Sequence, residues 1–98
     1  MSQSIIRYRT KPDQADANAE LVRAVYAELA EVAPAGFRYA TFLLDDGVTF
    51  VHVAINETDG AAPLTSLPAF KRFQEGLAER CEEPPLVSPA RQIGSYRL

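Results

Sequence analysis

The sequence predicts an α+β domain of order βαββαβ, and three observations carry that reading. Runs rich in β-branched and aromatic residues alternate with two stretches of helical periodicity. Asp45-Asp46-Gly47 joins two of those runs as a hairpin, because Asp-Gly between apolar segments favours a tight turn. Both strands of that hairpin are apolar on both faces. The order is the split βαβ pattern, a four-stranded antiparallel sheet with two helices on one face and the first and third strands in the middle.

The first strand is Ser4 to Thr10, with Ile5-Ile6-Arg7-Tyr8-Arg9-Thr10 at its centre and Lys11-Pro12-Asp13 ending it. Asp13 is placed to cap a helix, and Asp16 lies in a first turn whose dipole favours negative charge. Ala17, Leu21, Val25, Leu29 and Val32 then recur at helical spacing, flanked by Val22 and Tyr26, and predict one long amphipathic helix. Pro34-Ala35-Gly36 stops it. The hairpin strands are Phe37 to Leu44 and Val48 to Ile55. A turn-rich stretch, Asn56 to Leu67, contains Asn56-Glu57-Thr58-Asp59-Gly60 and leads to a second helix. Thr65 or Ser66 is placed to cap that helix, and Pro68 is tolerated in its first turn. Its buried stripe is Phe70, Phe73, Leu77 and Cys81, and Pro84-Pro85 ends it. The last strand is expected within Leu86 to Leu98, above all at Gln92 to Leu98.

Bulk composition narrows the function. With 98 residues, 47% of them hydrophobic, the chain is expected to form one domain, 1–98, around one core. A net charge of −3 argues against nucleic acid as a partner, since such proteins present a basic face. The one cysteine, Cys81, has no internal disulfide partner, and no Cys/His spacing suits zinc, so no metal is expected. The N-terminus lacks a basic-then-apolar leader, and no apolar run approaches the ~20 residues that cross a bilayer. A cytoplasmic protein without a membrane partner is the plain expectation.

The apolar hairpin carries a further expectation. An antiparallel sheet covered by helices on one side shows polar residues on the other. Here both faces are apolar, so the face away from the helices is expected to bury itself against a second copy, giving a homodimer through the sheet.

Several local patterns also resemble those of a known superfamily. These are Pro12 before the first helix, Pro34-Ala35-Gly36 after it, the Asp-Gly hairpin, and a second helix reading Pro68-Ala69-Phe70-x-x-Phe73. Across Ile5 to Leu98 the chain resembles the dimeric α+β barrel superfamily, whose subunits are ferredoxin-like, and within it the antibiotic-biosynthesis-monooxygenase-like group. The resemblance implies two sheets paired into a barrel and a pocket between sheet and helices. It further implies an activity between cofactor-independent oxygenation of aromatic substrates, haem degradation and none. Haem-degrading relatives use Asn, Trp and His with the His on the second helix; this chain has no Trp, and its one His, His52, is on the third strand. No cofactor is therefore expected.

Hairpin register then selects the residues able to carry chemistry. An Asp46-Gly47 turn sets Leu43 opposite Phe50, Thr41 opposite His52 and Tyr39 opposite Ala54. One face thus gathers Tyr39, Thr41, His52 and Asn56 among apolar Phe37, Leu43, Phe50 and Ala54, the makeup of a small-molecule pocket. His52 is the candidate general base, since its ordinary pKa of ~6.5 lies near working pH; the alternative is a core histidine bonded to Tyr39, Thr41 or the facing subunit. Tyr26 and Tyr39 are candidates for orienting a phenolic substrate, with core aromatics of satisfied hydroxyl as the alternative, and Phe50 and Phe73 are candidates for its apolar walls. Arg7 and Arg9 share one face of a central strand, with Arg97 expected on the neighbouring strand. A buried cation must be paired or bind an anion, so these arginines either stabilise charge on an enolate or carboxylate or form an ion-pair network across the dimer with Glu57, Asp59 or helix acids. The function expected is a cofactor-free monooxygenase for a small aromatic or enolisable molecule. The alternative is a noncatalytic binding or interaction module.

Overall fold

The structure is a computed structural model that describes residues 2–58 and 63–97. Asp59, Gly60 and Leu98, named in the expectations above, lie outside the described residues. Strands β1 (Ser2–Thr10), β2 (Phe37–Leu43), β3 (Thr49–Asn56) and β4 (Cys81–Pro89) form one antiparallel sheet in the order β2-β3-β1-β4. Helices α1 (Ala15–Val32), α2 (Pro68–Gln74) and α3 (Leu77–Arg80) pack on one face of it. This is the ferredoxin-like arrangement, with β1 and β3 central.

The hairpin has the register that its turn demands: Leu43 pairs with Phe50, Thr41 with His52 and Tyr39 with Ala54. Asp46 holds the turn through one carboxylate oxygen, which accepts the N–H groups of Val48 and Thr49. Gly47 supplies the positive φ of 75°.

α1 departs from its expected stripe. Its buried positions are Ala15, Asn18, Val22 and Val25, whereas Ala17 faces solvent and Val32 is 58% exposed. The helix is turned so that a polar side chain, Asn18, enters the core, which a count of apolar residues alone misses. A short 3-10 turn, Pro12–Gln14, precedes it, so Asp13 is no cap and Gln14 stands at the N-cap. At the other end Ala33 takes a left-handed φ of 46° and its N–H bonds Leu29 O, because Pro34 disfavours a helical residue before it.

The C-terminal third needs the larger correction. The second helix is interrupted at Glu75 and Gly76, and the last strand begins at Cys81, not beyond the prolines. Neither Thr65 nor Ser66 caps α2; both belong to a 3-10 turn, Pro63–Ser66, and Leu67 is the N-cap. Pro84 and Pro85 lie inside β4, which tolerates them for two reasons. β4 is an edge strand, and between the pairs Arg7–Leu86 and Arg9–Glu83 it carries one residue more than β1, a bulge where no N–H is needed. Residues 92–97 form no strand, which leaves Arg97 outside the sheet with its guanidinium over the Tyr96 ring.

Candidate functional site

Between sheet and helices lies a cavity of about 290 Å³, walled by Ile6, Leu64, Phe70, Phe73 and Leu77. Its polar groups include Tyr8, Tyr39 and His52. The volume is at the small end of ligand sites, enough for a one- or two-ring molecule.

His52 is 2% exposed and stands at the centre of a polar chain. Its Nε2 lies 2.8 Å from the Tyr8 hydroxyl. Its Nδ1 lies 2.6 Å from the Tyr39 hydroxyl and 3.0 Å from Thr41 Oγ1. Thr41 in turn bonds the Tyr26 hydroxyl at 2.7 Å. On the other side, Asn18 Nδ2 donates to the Tyr8 oxygen at 2.9 Å, and Arg80 Nε donates to Asn18 Oδ1 at 3.0 Å. Arg80 also donates to Phe73 O and Glu75 O, the carbonyls left open where α2 ends. The break in the second helix therefore has a role in the site. It turns Arg80 back under α2 and holds its charge 8% exposed beside the Phe73 ring.

Strand periodicity explains who takes part. Ile6 and Tyr8 of β1, His52 and Ala54 of β3, and Tyr39 and Thr41 of β2 alternate onto the helix side of the sheet. Arg7 and Arg9 are one residue out of phase and lie on the opposite face. The structure does not bring them to His52. Arg9 pairs instead with Glu83 at 2.9 Å and Glu82 at 3.7 Å on β4, and Arg38 of the same face pairs with Glu57 at 3.0 Å.

Burial sets the protonation of the cluster. It lowers the His52 pKa from 6.5 to about 4, so the imidazole is neutral at pH 7. It also raises the Tyr8, Tyr26 and Tyr39 hydroxyls above the ordinary phenol value, which keeps all three protonated.

The remaining candidate residues are divided by the fold. Tyr39 and Phe73 line the cavity with His52. Thr41 and Tyr26 stand behind Tyr39, and the Tyr26 ring stacks on it at 5.4 Å. Phe50 stacks on Tyr8 at 5.5 Å and supports it from the far side. Asn56 is at the strand end, where its Oδ1 accepts the N–H and hydroxyl of Thr58 and shapes the turn. Tyr8, Asn18 and Arg80 are the members of the His52 hydrogen-bonded chain that sequence reasoning misses. Of these Tyr8 is legible, because strand alternation puts it beside His52 once β1 and β3 are neighbours. Among the described residues no three His, Cys, Asp or Glu side chains converge as metal ligands.

No family model and no curated protein matches the chain by sequence. Solved structures match it over nearly its full length. A protein of Nitrosomonas europaea, named provisionally as an antibiotic biosynthesis monooxygenase, shares 20% identity at a TM-score of 0.80, over 96% of this chain and 100% of that one. A protein of Pseudomonas aeruginosa shares 20% identity at a TM-score of 0.76, over 95% and 94%. One from Caulobacter crescentus, named like the first, shares 12% at 0.73, over 95% and 90%. At these identities the likeness is one of fold: the chain has the ferredoxin-like α+β fold of the antibiotic-biosynthesis-monooxygenase-like structures.

Proposed function

We propose that residues 1–98 act as one domain, a small-molecule-binding subunit of a homodimeric α+β barrel that works as a cofactor-independent monooxygenase on a small aromatic or enolisable substrate. The observation that carries this reading is the apolar cavity with a neutral, buried His52 bonded to a half-buried Tyr39 at its wall. The names borne by two of the structural neighbours agree with it.

The substrate lies against Phe70, Phe73 and Leu77, with its oxygen toward Tyr39. A hydrogen bond there stabilises the enolate of a substrate acidic enough to lose its proton to solvent water, and the enolate is the form that reacts directly with dioxygen. For an activated methylene the balance closes without another reductant. The methylene and one dioxygen give a carbonyl group and one water, and the substrate supplies all four electrons. His52, with its lowered pKa, is a weak base and acts chiefly by holding Tyr39. The arginine role expected from the sequence passes to no residue of the cavity, because Arg7 and Arg9 occupy the other face.

That other face supports the dimer. Ile5, Phe42 and Leu86 are 41, 53 and 67% exposed there, an apolar area of the kind subunits cover. No helix of the described residues is long and apolar enough to cross a membrane, and a cytoplasmic location is part of the proposal.

The test is a thermal-shift screen of small phenols, quinones and aromatic acids on the wild type and His52→Ala, followed by oxygen uptake with each ligand that stabilises the wild type alone. Uptake that depends on His52 supports the enzyme. Binding without uptake leaves a noncatalytic ligand-binding module, and no binding removes the pocket reading.

A further inference from the structure

The polar chain behind the cavity has only one consistent direction. Arg80 can donate and cannot accept, so the atom of Asn18 that faces it must be the oxygen, and the amide nitrogen must face Tyr8. Asn18 therefore donates to the Tyr8 oxygen. The Tyr8 hydrogen has one acceptor in reach among the described residues, His52 Nε2 at 2.8 Å. The reverse arrangement, with Nε2–H donating to Tyr8, would turn the hydroxyl hydrogen of a side chain only 2% exposed away from its one protein acceptor, a costly state. Nε2 is thus bare, and the single ring hydrogen of neutral His52 is on Nδ1, pointing at Tyr39 and Thr41. Thr41 can pass its own hydrogen to Tyr26. Tyr39 accepts from Nδ1–H, so its own hydrogen is turned away from the ring, where Thr41 Oγ1 and an acceptor oxygen in the cavity compete for it.

We infer that Arg80 and Asn18 are positioning residues that fix the His52 tautomer and thereby make Tyr39 a hydrogen-bond donor, so that the cavity selects ligands with an acceptor oxygen, a carbonyl or its enolate. The ligand class rests on the function proposed above; the tautomer does not. Neither positioning residue needs to touch the ligand, and the fixed charge that orients the chain is two side chains removed from His52.

Because the chain has one histidine, untagged protein with 15N-labelled histidine shows a single imidazole, whose two nitrogens are told apart by their couplings to the ring hydrogens. The expected result is a protonated Nδ1 and a bare Nε2; a protonated Nε2 in the wild type overturns the inference. Asn18→Asp replaces the donor by an acceptor, so Tyr8 must turn its hydrogen away from the ring, and Nε2 is expected to gain one. A bare Nε2 in that variant also overturns it. Should that variant not fold, the wild-type tautomer and Tyr39→Phe decide. 1-Indanone is expected to bind roughly fivefold more tightly than indane, the worth of one neutral hydrogen bond, and Tyr39→Phe to abolish the difference. Equal binding of indane and 1-indanone by the wild type refutes the acceptor selection. Binding of neither sinks the proposed function, while the tautomer is still judged by its own spectrum.

Discussion

Acid should destabilise this protein through His52 before it reaches most carboxylates. The ring is held among Tyr8, Tyr39, Thr41 and Phe73, all uncharged, and its pKa falls from 6.5 to about 4 because burial opposes the imidazolium. Above pH 6.5 neither folded nor unfolded chain holds the extra proton. Between 6.5 and 4 the unfolded chain holds it and the folded chain does not, so acidification favours unfolding throughout that window. The pKa difference corresponds to about 3 kcal/mol, a large share of a small domain's stability. The assay is urea unfolding at a series of pH values between about 7.5 and 4, on the wild type and on His52→Asn. The variant keeps every carboxylate, so the difference between the two curves isolates the ring. The wild type should lose about 3 kcal/mol more than the variant, roughly 2 M in urea midpoint for a chain of this size. Parallel curves would refute the reasoning, for they would mean that His52 takes up its proton as easily in the folded protein as in the unfolded chain.

Three further outcomes are expected. Tyr8→Phe removes both the partner of His52 Nε2 and the acceptor of Asn18, and should cost roughly 2 kcal/mol, on the order of 10 °C in Tm by calorimetry. Gly36→Ala should cost more than Gly47→Ala, since both glycines have positive φ but a Cβ at Gly36 would meet Thr58 Cγ2 at 2.9 Å while one at Gly47 meets nothing within 4 Å; urea midpoints of the two variants compare them directly. Phe42→Glu places a charge on the apolar sheet face and should convert a dimer to monomer in sedimentation velocity, with little loss of secondary structure by circular dichroism. A wild type that sediments as a monomer would remove the barrel from the account.

Much of the sheet is legible in the sequence because its signals are local. The Asp-Gly turn fixes the β2–β3 register within a few residues, and that register alone puts Tyr39, Thr41 and His52 together. β1 is equally plain as a strand, but its faces are easily weighed wrongly: the arginines draw attention to odd positions, while alternation carries Tyr8 to His52. The C-terminal third is illegible for a physical reason. Proline ends a helix or a central strand, but at an edge bulge its missing N–H is harmless, and only the tertiary pairing of β4 tells the cases apart. Asn18 and Arg80 stay hidden because a buried polar residue is recognised by its partners, and those partners are distant in sequence, 62 residues apart for this pair.

The most direct measurement of the central claim is a crystal structure of the protein grown with a ligand from the thermal-shift screen. The ligand should lie between sheet and helices, its oxygen within hydrogen-bond distance of Tyr39 Oη and its rings against Phe70 and Phe73. A ligand seated instead on the opposite face, beside Arg7, Arg9 and Phe42, would contradict that claim.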